Sequence, residues 1–203
     1  MSLGAQLEIV LASQSAVRLR ILAAAGLAVA SVPSSVDEAP VKRACRERGM
    51  SAEECALALA AAKAVQVSQT RPAALVIGAD QMLDCGGAWL DKPRDRAEAR
   101  AQLALLRGRT HQLVAAEALA KDGTAVWRHV ERARLTMRGF SDAFLDAYSA
   151  AMGDEILTTV GGYHLEGLGA QLFDKIEGDY FAILGLPLMP LLAALRERGA
   201  LES

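Results

Sequence analysis

The stretch Leu75-Val76-Ile77-Gly78-Ala79-Asp80-Gln81 decides the reading of this chain, and Asp91-Lys92-Pro93-Arg94-Asp95 follows it a turn later. Its apolar start has the length and character of a buried strand. Gly78 and Ala79 are small enough for another backbone or a ligand to come close. Asp80 then places a carboxylate between Ala79 and the apolar run Met82-Leu83. A carboxylate in such surroundings must be paired, hydrogen-bonded or bound to a cation, because burying it alone costs roughly several kcal/mol. An Asp that only caps a turn is the plain alternative.

Downstream, Asp84 to Gly87 is a turn signal, so Ala88-Trp89-Leu90 is expected to pair back as a hairpin. Lys92 then leaves the hairpin at the same end as Asp80. Asp95 and Glu98 fit the N-terminal cap of a helix that ends near Arg107-Gly108. Thr110 to Ala120 and Thr124 to Met137 read as two long strands joined at Lys121-Asp122-Gly123, with Glu117 a charge that the first strand's pattern does not explain. Ser141 opens a short helix through Tyr148. The loop Gly161-Gly162-Tyr163-His164-Leu165-Glu166-Gly167-Leu168-Gly169 is dense in glycine, so its backbone can adopt positive φ and approach a flat ligand. Leu172 to Ile176 reads as a strand, Glu177 to Tyr180 as a turn, and Gly185-Leu186-Pro187 as the start of the last helix.

Upstream, Leu7 to Ala12 reads as a strand entering the core, and Ala16 to Ala25 as a helix stopped by Gly26. Between them, Ser13-Gln14-Ser15 is a serine-rich turn at a helix start, where free N–H groups and the dipole favour anions. Arg18 adds a forked cation suited to phosphate. The same residues also read as a simple Ser15 cap and a solvated charge. Ala28 to Val32 is expected as a strand, Val36-Asp37-Glu38 as adjacent acids in a loop before Pro40, and Arg43 to Arg48 as a short basic helix. Ser51-Ala52-Glu53-Glu54 is a capping box that opens a long Ala-rich helix reaching about Gln69. Within it Lys63 stands among alanines whose small size allows close packing under a reaching ammonium.

With 203 residues the chain can form one substantial domain, read as a single unit over 1–203, or two small lobes sharing a core. A composition of 52% hydrophobic and 23% charged residues is that of a globular protein. The net charge of −2 gives no general attraction to nucleic acid or to a membrane surface, and no apolar stretch is long enough to span a bilayer. Met1-Ser2-Leu3-Gly4 lacks the basic start of a signal peptide, and Ser2 and Leu3 read as a cloning remnant. Three cysteines without C-x-x-C spacing indicate a reducing, cytoplasmic setting and no zinc site. His111, His129 and His164 share no metal-like spacing, and Trp89 and Trp127 read as packing residues.

Taken together the motifs resemble those of the Maf family of nucleoside triphosphate pyrophosphatases. The resemblance runs from Leu11-Ala12-Ser13-Gln14-Ser15-Ala16-Val17-Arg18 through Gly78-Ala79-Asp80 and Lys92-Pro93-Arg94-Asp95. It continues with Leu106-Arg107-Gly108-Arg109-Thr110-His111, Glu166-Gly167-Leu168-Gly169, Gly178-Asp179-Tyr180 and Gly185-Leu186-Pro187-Leu188. It implies an α/β fold: a long twisted mixed sheet flanked by helices, in two lobes with a central cleft, similar to inosine triphosphate pyrophosphatases. It also implies hydrolysis of the α–β phosphoanhydride of a nucleoside triphosphate, giving a monophosphate and pyrophosphate. A divalent cation, magnesium or manganese, and a homodimer come with the same resemblance.

By that resemblance Asp80 is the proton acceptor, Glu38 joins it in coordinating metal or water, and Ser13, Arg18, Lys63 and Lys92 hold the phosphates. The family usually has two arginines after a Ser-Pro step, whereas this chain has Ala16 and Val17 before Arg18 and so lacks one of them, and Ala62 stands where an acid commonly precedes the lysine. Val17, Gln81 and Glu166 occupy the specificity positions. Gln81 and Glu166 resemble the branch that acts on 7-methyl-GTP, whereas the dTTP/UTP branch has other residues there. A carboxylate at Glu166 can accept two hydrogen bonds from the N1–H and N2–H₂ edge of guanine, but Val17 lacks the stacking ring of that branch. The competing expectations are a dTTP/UTP pyrophosphatase, a nucleotide-binding regulator of cell division without turnover, and a phosphosugar enzyme using the Ser13 loop.

Overall fold

A computed structural model describes residues 7–202; the reading of residues 1–4 lies outside them. The chain is mixed α/β, with a seven-stranded sheet in the order β2-β1-β3-β5-β6-β7 and β4 pairing β3. The strands are β1 (Ile9–Leu11), β2 (Val29–Ser31), β3 (Leu75–Cys85), β4 (Ala88–Leu90), β5 (Thr110–Lys121), β6 (Thr124–Met137) and β7 (Phe173–Glu177). The helices are α1 (Ala16–Ala24), α2 (Glu38–Glu47), α3 (Ala52–Thr70), α4 (Arg96–Leu106), α5 (Asp142–Met152), α6 (Tyr180–Ile183) and α7 (Leu188–Glu197). β1 runs parallel to both β2 and β3, while β3 with β4 and β6 with β7 are antiparallel. The expected mixed sheet flanked by helices is what the chain forms.

Two compact units divide the chain. The first comprises the residues up to Gln81, Ala115–Glu131 and Tyr180 onward; the second comprises Met82–Val114 and Arg132–Asp179. In the first unit an apolar cluster is built from Ile9, Leu11, Ile21, Leu22, Leu75, Ile77, Ala79, Leu119, Leu186 and Leu191, among others. Alternation along β3 assigns Leu75, Ile77 and Ala79 to this cluster, which leaves Gly78 and Asp80 on the opposite face. Trp127 packs against the same cluster, as expected of a packing residue.

Most element boundaries agree with the sequence pattern, and the exceptions have local causes. Helix α2 begins at Glu38, five residues before the expected basic helix. Asp37 caps it by accepting from Ala39 N–H at 3.2 Å. Pro40 is tolerated because the first turn has no intrahelical acceptor for its missing N–H. Glu38 is therefore a helical residue, and the expectation of a loop acid is corrected. The capping box at Ser51 and Glu54 is complete, with both reciprocal bonds present. β3 continues through Asp80 to Cys85, and Gly86 and Gly87, both at positive φ, turn it into β4. The turn expected to end at Tyr180 instead leads into α6.

Candidate active site

The first unit gathers its polar groups where the parallel strands end. β1 pairs Ile9–Leu11 with Val29–Ser31 on one side and with Leu75–Ile77 on the other. Because β1 lies between β2 and β3, its C-terminal end is the kind of edge at which α/β sheets bind ligands. Ser13 follows that end directly. Gly78, Asp80 and Gln81 lie on β3 beyond the segment that pairs with β1.

Arg18 is anchored there rather than left to swing in solvent. Its Nε donates to the Gly185 carbonyl at 2.8 Å, and its Nη1 to Ala79 O at 3.0 Å and to Ser13 Oγ at 3.2 Å. Ser13 Oγ also accepts from Ser15 N–H, and Ser15 Oγ caps α1 by accepting from Arg18 N–H. The serine-rich turn is thus both the helix cap and the seat of the guanidinium. Burial pulls the Arg18 guanidinium down from its ordinary value, against the opposing charges of Asp80, Glu38 and Glu117.

On the other face of β3, Lys63 reaches from α3 to two carboxylates at once. Its Nζ donates to Glu38 Oε1 and to Asp80 Oδ1, both at 2.6 Å. Lys42, one helical turn after Glu38, approaches Glu38 Oε2 at 3.4 Å. The two acids differ sharply in environment. Asp80 is 4% exposed and its Oδ2 has no partner, whereas the Glu38 side chain is 41% exposed. Burial, the largest influence, raises the Asp80 carboxyl above its ordinary range despite the Lys63 ammonium. Burial also opposes ionisation of Glu38, but Lys63 and Lys42 together hold it below the usual range. One carboxyl with raised proton affinity beside one that stays ionised is the division of roles that acid–base chemistry needs.

The other expected residues are placed as follows. Gln81 gives its amide nitrogen to the carbonyls of Ala182 (3.1 Å) and Ile183 (2.9 Å), which leaves Oε1 as the amide's acceptor. Val17, half-buried on the first turn of α1, packs against the apolar cluster. Lys92, exposed after β4, and Glu166, in the glycine-dense loop, both belong to the second unit. The structure therefore brings together Ser13, Arg18, Glu38, Lys63, Asp80 and Gln81 within the first unit. Sequence reasoning missed Lys42, which the spacing Glu38 to Lys42 reveals once α2 is known to start at Glu38. It also missed the backbone carbonyls of Ala182, Ile183 and Gly185, which carry no side-chain signal.

The fit of these groups to a divalent cation can be judged from their chemistry. Among the described residues no cluster of three or more His, Cys, Asp or Glu side chains forms a closed cage. Magnesium does not require one, because it usually takes one or two carboxylates and completes its octahedron with water and substrate phosphates. Glu38 and the partnerless Oδ2 of Asp80 are hard oxygen donors of that kind. All three cysteines are free and buried. Burial, and a hydrogen bond with Cys45 that favours the protonated form, push the Cys55 thiol up to about 12, so it is no candidate nucleophile.

A family model for Maf-like proteins matches residues 8–198. The chain belongs to that family. Relatives of similar length share about half its residues. A nucleoside triphosphate pyrophosphatase of Paramagnetospirillum magneticum is 52% identical over 94% of this chain and 98% of the relative. A 7-methyl-GTP pyrophosphatase of Mesorhizobium japonicum is 49% identical over 96% of this chain and 98% of the relative. Among solved structures, a nucleoside-triphosphatase (dITP/XTP pyrophosphatase) of Mycobacterium abscessus aligns over 95% of this chain and 94% of its own, with 19% identity and a TM-score of 0.45. That likeness is too distant to inform the chemistry. In this Maf-like chain no helix among the described residues is long and apolar enough to cross a membrane.

Proposed function

We propose that this Maf-like chain is a nucleoside triphosphate pyrophosphatase, cleaving the α–β phosphoanhydride with water to give a nucleoside monophosphate and pyrophosphate. The observation that carries the reading is the Lys63 ammonium shared by Glu38 and the buried Asp80, at the strand ends where Arg18 is also fixed. The reaction calls for a positioned water, an acceptor for its proton and cations against a polyphosphate. Asp80, with raised proton affinity, orients the water and takes its proton. Lys63 holds Asp80 and Glu38 in register and, with Arg18 and Ser13, faces the phosphates; Lys92 is assigned to them as well. A bound magnesium or manganese, held by Glu38 and Asp80, would supply a water of lowered pKa and offset phosphate charge.

The names of the relatives, together with Gln81 and Glu166, support a guanine-type substrate of the 7-methyl-GTP kind. Glu166 is assigned to the N1–H and N2–H₂ edge, where uracil and thymine offer one donor. The Oε1 of Gln81, fixed as an acceptor by Ala182 and Ile183, suits a donor-bearing base as well. A cytoplasmic setting and a homodimer belong to the same proposal. The test is metal-dependent pyrophosphate release from GTP, 7-methyl-GTP, dTTP and UTP by the wild type and by Asp80→Asn. Preferred turnover of dTTP or UTP would sink the base assignment. Undiminished activity of Asp80→Asn would sink the catalytic one.

A further inference from the structure

Helix α6 ends in a turn whose carbonyls face two side chains of the site. Gly185 N–H donates to Ala182 O and Leu186 N–H to Phe181 O, both at 3.0 Å. With Gly185 in the left-handed region at φ +89°, this is the bonding pattern that stops a helix on a glycine. Leu186 is fully buried in the first unit's apolar cluster and Phe181 packs against that cluster, so the turn is fixed from beneath.

Arg18 and Gln81 both fasten onto this turn. Arg18 Nε donates to Gly185 O at 2.8 Å, and Gln81 Nε2 donates to Ala182 O at 3.1 Å and to Ile183 O at 2.9 Å. Carbonyl oxygens only accept, so the amide atom facing both is the nitrogen, and both of its hydrogens are engaged. Ala182 O thus receives Gln81 and the Gly185 N–H together. A Cβ added to Gly185 would stand 3.3 Å from Arg18 Nη2 and 3.5 Å from Gln81 Cδ, so the two side chains flank the glycine itself. The circuit closes through β3, where Arg18 Nη1 donates to Ala79 O at 3.0 Å and Gln81 follows two residues later. Asp80 lies between those two points.

We propose that Gly185 is a positioning residue that ties the guanidinium of Arg18 to the amide of Gln81, so that polyphosphate and base are bound cooperatively. The inference rests on the reading of Arg18 as a phosphate contact and of Gln81 as a base contact. A ligand that fixes either side chain fixes the turn, and the fixed turn already holds the other. By linkage the effect is equal in both directions.

Inorganic pyrophosphate, which has no base, separates the two contacts. Gln81 has no N–H left for a phosphate oxygen, and its Oε1 repels an anion. A purely local role for Gln81 therefore predicts unchanged or tighter pyrophosphate binding once the amide is removed. Calorimetric titration with pyrophosphate in the presence of magnesium is expected to show about two- to tenfold weaker binding in Gln81→Met, the range found within one hydrogen-bond network. Gly185→Ala is expected to weaken it as well, because a side chain at positive φ strains the turn and crowds Arg18. The double variant Arg18→Met/Gln81→Met should lose less than the product of the two single losses. Unchanged affinity in Gln81→Met or Gly185→Ala, or losses that multiply in full, overturns the inference. An unfolded fraction lowers the stoichiometry of the titration and not the affinity, so a destabilised variant still answers. If Arg18→Met binds pyrophosphate as the wild type does, the phosphate reading of Arg18 fails and takes the inference with it. If Gln81→Met keeps the wild-type ratio of kcat/KM for GTP over UTP, the base reading of Gln81 fails in the same way. If both readings hold and Gln81→Met binds pyrophosphate normally, only the inference fails.

Discussion

Gly78 of β3 lies so close under Ala60 of α3 that a Cβ added to it would stand 2.1 Å from the Ala60 carbonyl oxygen and 2.7 Å from Ala64 N. Helix α3 therefore rests backbone to backbone on the strand, and the contact brackets Lys63, which lies between Ala60 and Ala64. Gly78 and Asp80 share a strand face two residues apart, so the contact that seats the helix also delivers the ammonium to Asp80. Gly78→Ala is expected to force α3 away from β3, costing about 1–3 kcal/mol or more by overpacking. Urea unfolding measures the stability loss. Residual turnover in the folded fraction should also fall, because Lys63 moves with its helix.

Removing the ammonium should change the pH response of the reaction. Lys63 lowers the proton affinity of Asp80, opposing the burial that raises it. In Lys63→Met that opposition is gone, so the acidic limb of the kcat profile is expected to move to higher pH. Asp80→Asn removes the acceptor itself and is expected to reduce kcat about 10²–10⁴-fold across the profile. Steady-state rates from pH 5 to 9 distinguish a displaced limb from a uniform loss.

Arg18 is held by three oxygens at different directions, from Gly185, Ala79 and Ser13. Lysine keeps the charge but lacks the planar fork that reaches all three. Arg18→Lys is expected to raise KM for the triphosphate about tenfold through the loosened Ser13 turn. Inhibition by free pyrophosphate should weaken in parallel. Unchanged KM would mean that charge alone is used at this position.

Glu117 is fully buried on β5, with neither carboxyl oxygen partnered. Burial, reinforced by Glu131 and opposed by Arg18, raises its carboxyl well above the ordinary value. An unfolded glutamate loses its proton near about 4.3 while the folded one keeps it. Above that pH the unfolded chain binds fewer protons, so this group makes stability fall as pH rises. Glu117→Leu is expected to stabilise by about 1–3 kcal/mol at pH 8, by removing an unpaired buried polar group, and by less at pH 4.5. Unfolding free energies at the two pH values test both the sign and the difference.

His111 acts with the opposite sign. It is buried in the second unit, with Nε2 2.7 Å from Tyr163 Oη, and burial pushes its imidazole down to about 4. Between that value and about 6.5 the unfolded chain binds a proton that the folded ring refuses. Its contribution is intact above about 6.5 and is lost as pH falls toward 4, on the order of 3 kcal/mol in full. From about pH 4.5 to 6.5 the Glu117 and His111 slopes oppose each other, and above that window Glu117 acts alone. His111→Asn is expected to flatten the acid side of the stability curve and leave the alkaline side unchanged.

Local chemistry determined a good deal of this protein. The Ser51–Glu54 box, the Asp95 and Ser141 caps, the Gly86-Gly87 turn and the strand alternation around Asp80 are all set by residues within a few positions of one another. For that reason the sheet, its flanking helices and the importance of Asp80 are legible without coordinates. The start of α2 is not legible in the sequence, because Pro40 signals a break everywhere except in a helix's first turn, and only the Asp37 cap resolves that ambiguity.

Tertiary structure alone decided which side chains meet. Nothing within α3 marks Lys63 as the partner of both Glu38 and Asp80, since that pairing depends on a helix seated on Gly78 from across the sheet. Nothing near Arg18 names Gly185, 167 residues away, as its anchor. Glu117 reads as an intruding charge until its complete burial explains why it stays protonated. Caps and turns are short-range hydrogen bonds written in adjacent residues, whereas the proton affinities of Asp80, Glu117 and His111 follow from desolvation, which exists only after distant segments close over them.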